Sequence, residues 1–124
     1  SYDAKHYQRF EDYQASLRKV SAFFSRDTVY VAYFVPYGQE LLQERLKHWT
    51  ASSFVTMDTL GTSMMGLPIQ MLTITDPGVP EKEKNRIWIH ARVHPGESPA
   101  NWQLDGLLGR LTRQDGFTYT GMPL

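Results

Sequence analysis

Apolar residues recur three to four apart between residues 4 and 20, at Tyr7, Phe10, Tyr13, Leu17 and Val20, with charged side chains between them, and this spacing predicts an amphipathic helix. Asp27 then introduces Thr28-Val-Tyr-Val-Ala-Tyr-Phe-Val35, a β-branched and aromatic run with too little polar alternation for a strand open to water on one face. It predicts a buried strand ended by Pro36. Over residues 39–49 the side chains of Leu42, Leu46 and Trp49 share a helical face, and Glu40 early with Lys47 and His48 late suits the helix dipole. Two strand-like runs, 54–60 and 69–75, flank Gly61, Gly66 and Pro68 and predict a hairpin with a longer loop. The stretch from Asp76 to Asn85 is turn-rich and charged, as a mobile surface loop would be.

Strand periodicity returns after Arg86. Ile87, Ile89, Ala91 and Val93 form an apolar face, while Trp88, His90, Arg92 and His94 point the other way. Pro95 and Gly96 break this strand, Ser98 is placed as an N-cap, and Pro99 opens a helix over 99–111 that buries Ala100, Leu104, Leu107, Leu108 and Leu111. Residues 113–124 show no readable pattern. The order helix, strand, helix, hairpin, strand, helix favours an α/β fold with a mixed sheet.

Composition narrows the chemistry more than it identifies it. The 124 residues are 41% hydrophobic, enough for a core without covalent help, and a soluble globular unit is expected. Thirteen basic residues balance thirteen acidic ones, so charge favours neither a nucleic-acid groove nor an acidic membrane as partner. The absence of cysteine excludes disulfides, thiolate zinc sites and thiol nucleophiles, and fits a reducing compartment. Any metal must use His, Asp or Glu. The apolar runs are too short to span a bilayer and the first ten residues are polar rather than signal-like, so a cytoplasmic location is expected.

His94-Pro-Gly-Glu97 puts an imidazole at the carboxyl end of the last predicted strand and a carboxylate three residues on, just before a helix. In open α/β sheets that edge is where sites form. A His and a carboxylate converging across a tight turn suit Zn²⁺, whose catalytic sites take a third protein ligand and keep one position for water. Alone, His-x-x-Glu is a weak pattern, more often a chance occurrence or a strand-end hydrogen-bonded pair than a ligand pair. In context, Arg92-Val-His-Pro-Gly-Glu-Ser98 resembles the first metal-binding motif of the M14 metallocarboxypeptidases, most closely their cytosolic carboxypeptidase subfamily. Val29-Tyr-Val-Ala-Tyr-Phe-Val-Pro-Tyr37 is similar to that subfamily's strand-to-Pro-Tyr lead into the catalytic domain, and Leu60-Gly-Thr-Ser63 with Met71-Leu-Thr-Ile-Thr75 to its hairpin.

The resemblance implies that His94 and Glu97 are zinc ligands and that the fold is part of an α/β/α sandwich preceded by the end of a small β domain. Residues 1–27 are then the tail of an N-terminal domain or a junction helix, and 28–124 the incomplete first part of a zinc carboxypeptidase catalytic domain. It implies hydrolysis of the C-terminal peptide bond of peptide or protein tails, glutamates among them. It also implies a third ligand His, substrate-gripping Asn and Arg residues and a general-base Glu further along, none with a counterpart here. The chain alone is therefore expected to be inactive, which leaves a pseudoenzyme or fragment acting as a protein-binding domain as the alternative. A related zinc acylase is disfavoured by the Pro-Gly between the two ligands.

Other polar residues receive plainer readings. His90 shares a strand face with His94 but is read as a hydrogen-bonded packing residue. Arg92 is a candidate for orienting a carboxylate near the metal, or for an ordinary ion pair. Asp105, Asp58 and Glu40 are placed on solvated faces, and His6 and His48 on exposed helix surface.

Overall fold

The computed structural model describes residues 1–112 apart from 12, 15, 17 and 18. They fall into two compact units, Ser1–Val35 and a second that begins at Pro36. In the first unit the helix expected over 4–20 does not form among the described residues; Leu17 of its stripe lies outside them. Asp3 Oδ1 accepts the amide hydrogens of Lys5 and His6, both at 2.9 Å, and Ala4 has a left-handed φ of 58°. A side chain that satisfies successive amides draws the backbone into a turn instead of a helical start. His6 accordingly lies in this turn, exposed, its Nδ1 2.5 Å from Asp3 Oδ2. Further on, β1 (Tyr13–Gln14) pairs antiparallel with β2 (Lys19–Val20). The Phe10 ring meets Phe24 edge-on with centroids 6.5 Å apart, so this aromatic serves a loop cluster where the spacing predicted a helix face.

The run 28–35 is not a strand, nor is 86–94, and both are largely exposed: Tyr33 is 92% and Ile87 81% accessible. A strand is defined by its neighbours, because unpaired extended backbone gains no ladder hydrogen bonds. Among the described residues neither run has a ladder partner, although Tyr30 exchanges backbone bonds with Ser1 at 2.8 and 3.1 Å. His90, expected to be a packed strand residue, is exposed for the same reason.

The second unit carries the elements whose patterns were complete in themselves. Helix α1 (Gln39–Trp49) starts behind Gly38, whose carbonyl accepts the Leu42 amide at 3.0 Å, and stops at Thr50, whose hydroxyl donates to the Leu46 carbonyl at 2.7 Å. Strands β3 (Val55–Thr62) and β4 (Pro68–Ile74) form the expected hairpin in antiparallel register, Val55 opposite Ile74 and Thr62 opposite Pro68. A bulge lies between Thr59 and Gly61, leaving Leu60 as the extra residue. In the hairpin loop Gly66 adopts φ 75°, its amide donating to the Ser63 carbonyl at 2.9 Å. A Cβ there would meet nothing within 4 Å, so the glycine is required by conformation alone. Gly66→Ala is expected to lower unfolding free energy by about 1–2 kcal/mol; an unchanged urea midpoint would show that the loop relaxes around it. Asp76 to Asn85 is an exposed loop holding a short 3₁₀ turn at Glu81–Glu83.

Helix α2 (Ser98–Leu111) packs on α1 and on β4. Leu46, Trp49 and Leu108 are buried, with Leu42, Leu72, Ile74 and Leu104 half-buried against them; full burial of one such side chain contributes about 1.5–3 kcal/mol. Leu107 and Leu111, expected inside, are exposed. The place facing α1 is taken by Asp105, which was expected on a solvated face and is 1% accessible. Its Oδ2 accepts a hydrogen bond from Arg45 Nε at 3.1 Å, which is what makes burial tolerable, while Oδ1 has no partner among the described residues. Burial pushes the Asp105 carboxyl up from its ordinary value, against the downward pull of Arg45. His48, also expected outside, is half-buried on α1 and opposes that rise weakly. Asp58 and Glu40 are exposed as read. Helices and an antiparallel hairpin thus share one unit, as an α/β composition requires, and both strand pairings among the described residues are antiparallel.

Candidate metal centre

Residues 94–97 form a tight turn in which the Glu97 amide donates to the His94 carbonyl at 3.1 Å. Pro95 presets φ at the second position of such a turn. Gly96 does not take a positive φ, and a Cβ on it would meet nothing within 4 Å. The turn delivers the chain directly into α2, where the Glu97 carbonyl accepts the Ala100 amide at 3.1 Å. Glu97 occupies the N-cap position expected for Ser98, which is buried as the first helical residue. The Glu97 carboxylate makes no cap bond to the helix because His94 engages both of its oxygens.

Glu97 Oε1 lies 2.7 Å from His94 Nδ1, and Oε2 accepts the His94 amide at 3.3 Å. Both side chains are open to solvent, 74% and 50% exposed, so ligand and water can reach the pair. The two residues singled out from the sequence are therefore brought together, an imidazole nitrogen hydrogen-bonded to a carboxylate oxygen on one exposed turn. Such donors fit zinc as two of its ligands. Among the described residues no group of three or more His, Cys, Asp and Glu gathers, so they supply two protein donors and no third.

Arg92, read as orienting a carboxylate or as half of an ordinary ion pair, is bonded instead to main-chain carbonyls. Its Nε donates to the Pro95 carbonyl at 3.1 Å and its Nη1 to the Tyr37 carbonyl at 2.5 Å. Its backbone takes a left-handed φ of 58°. Tyr37 is buried and packs edge-on against Trp102 of α2, ring centroids 5.0 Å apart. Neither this bracing nor the burial of Asp105 was read from the sequence. For Asp105 a signal existed: it lies three residues before the buried Leu108, one turn away on the same side of the helix. For Arg92 none did, since its partners are backbone atoms.

A model of the zinc carboxypeptidase family, peptidase M14, matches residues 43–115, more than half of the chain. The chain belongs to that family. It is 31% identical over 116 residues to an uncharacterized protein of Zymomonas mobilis, covering 93% of this chain and 29% of the relative. It is 36% identical over 92 residues to human cytosolic carboxypeptidase 2, covering 68% of this chain and 10% of that protein. Cytosolic carboxypeptidase 6 of Caenorhabditis elegans is 31% identical over 96 residues, 75% of this chain and 21% of its own length. The chain thus spans under a third of the length of each of these relatives. No solved structure matches it. No helix among the described residues is long and apolar enough to cross a membrane.

Proposed function

We propose that the chain supplies the first two zinc ligands, His94 and Glu97, of a metallocarboxypeptidase that removes C-terminal residues, glutamates among them, from peptide or protein tails. The pairing of His94 Nδ1 with Glu97 Oε1, a 2.7 Å hydrogen bond on an exposed turn at a helix start that a bound metal would replace, supports the reading. A bound zinc supplies Lewis-acid polarisation of a carbonyl and activation of water. The chain's own part is to hold the two donors on a short, proline-braced turn and to keep them accessible to substrate. Protons compete with the metal for the imidazole nitrogen, and the carboxylate beside it is placed to take the second coordination position. The third ligand, the general base and the substrate-gripping groups belong to other parts of the whole protein in this reading. There the runs 28–35 and 86–94 become paired strands of an α/β/α sandwich, which follows the small β domain whose end is residues 1–27. A cytoplasmic location fits the lack of cysteine and the cytosolic relatives.

A second reading, a protein-binding domain without catalysis, is favoured by Ile87, Trp88, Ile89 and Val93, which stand 53–81% exposed. The test is to incubate the whole protein with peptides ending in glutamate and with the same peptides ending in leucine or lysine, and to follow mass with time. Stepwise loss of single C-terminal residues, fastest from the glutamate series, is the expected result. Intact peptides of every kind would leave the binding reading in its place.

A further inference from the structure

We propose that Arg92 is the positioning residue of the candidate metal pair: its guanidinium clamps the 94–97 turn to the start of the second unit and so sets where the His94 and Glu97 donors stand. This rests on the zinc reading above. The side chain reaches across the chain to the carbonyl of Tyr37, fifty-five residues away, and at the same time holds the carbonyl of Pro95 inside the turn. Tyr37 is itself fixed, buried and edge-on to Trp102, and Trp102 stands on the helix that Glu97 begins. Turn, guanidinium, tyrosine and helix therefore close a loop of contacts that includes the backbone carrying the two donors. The backbone gives an independent sign. A φ of 58° is rare for an arginine and persists where surrounding contacts over-determine it.

The two accepting carbonyls are served by different nitrogens of one planar fork, Nε and Nη1. An ammonium carries its three donors on one nitrogen and cannot reproduce the planar fork that spaces Nε from Nη1, so lysine is not a conservative replacement here. Glycine would relieve the backbone strain yet remove the clamp, which separates the two roles of the residue.

The experiment compares the whole protein with its Arg92→Ala, Arg92→Lys and Arg92→Gly variants. His94→Ala serves as the metal-loss reference and Arg86→Ala, an exposed arginine 3.4 Å from Glu81, as the charge control. Zinc affinity is measured by competition with a chelator, and amide hydrogen exchange at Gly96 and Glu97 in the metal-free protein. All three Arg92 variants are expected to bind zinc about 10–100-fold more weakly, the loss typical when a group that orients a ligand is removed. They should also exchange those amides faster at an unchanged melting temperature, with Arg86→Ala matching wild type in both. If the alanine variant misfolds, the strain-free glycine variant carries the test. Wild-type affinity in the Arg92 variants, with zinc lost in His94→Ala, overturns the clamp alone. A wild-type protein that binds no zinc overturns the metal reading and the clamp with it.

Discussion

Arg45→Ala is expected to destabilise the second unit by about 3–5 kcal/mol, the loss that follows when one partner of a buried ion pair is removed. The Asp105 side chain is fully enclosed, whereas Arg45 keeps 13% of its side chain exposed. Removing the guanidinium therefore leaves a carboxylate with no route to water and neither oxygen bonded to arginine. Asp105→Ala should cost less, because the arginine left behind can swing its head to solvent. Replacing both by leucine should come within about 1–2 kcal/mol of wild type or exceed it, since two apolar side chains need no desolvation. Urea unfolding of the four proteins, read as a double-mutant cycle, measures this; equal losses in both single variants would contradict the asymmetry.

The pH dependence of the same pair has a definite sign. Burial raises the Asp105 carboxyl in the folded state above the unfolded value of about 3.9. The folded state then binds the proton more tightly, so this residue's contribution is complete below the unfolded value and is lost as pH rises through the folded one. Asp105→Asn removes that slope. Between pH 4 and neutrality wild type should lose stability relative to the asparagine variant; a relative gain would show that Arg45 outweighs desolvation.

His94→Ala and Glu97→Ala are each expected to lower kcat/KM for C-terminal residue release by at least on the order of 10³-fold in the whole protein. Losing several kcal/mol of metal-borne charge stabilisation corresponds to that factor. Glu97→Gln keeps the shape of the side chain and its possible hydrogen bond to His94 but removes the ligand charge, so it should fall close to the alanine variant. His90→Ala, exposed and apart from the pair, should stay near wild type. A His94→Ala protein within tenfold of wild type would remove this residue from the site.

The elements legible in the sequence are those whose stability is local. Leu42, Leu46 and Trp49 define α1 by their spacing, Gly66 and the flanking runs define the hairpin, and Pro99 marks the start of α2, all as found to within a residue or two. The runs 28–35 and 86–94 do not form strands here because strand composition says what a segment tolerates and pairing decides what it forms; both lack a ladder partner among the described residues. The aromatic spacing over 4–20 matched a helix, but Asp3 and Ala4 set a competing turn that periodicity does not weigh. The meeting of His94 and Glu97 was legible because both side chains lie in one short motif. The contributions of Arg92 and Asp105 depend on Tyr37 and Arg45, far away in the chain, and become visible only once the helices are packed.

The central claim is that His94 and Glu97 hold a metal, and zinc content by mass spectrometry of the purified whole protein, beside His94→Ala and Glu97→Ala, tests it most directly. One zinc per chain in wild type and its loss in both variants is the result expected. No zinc in wild type, or full zinc retained in either variant, would contradict it.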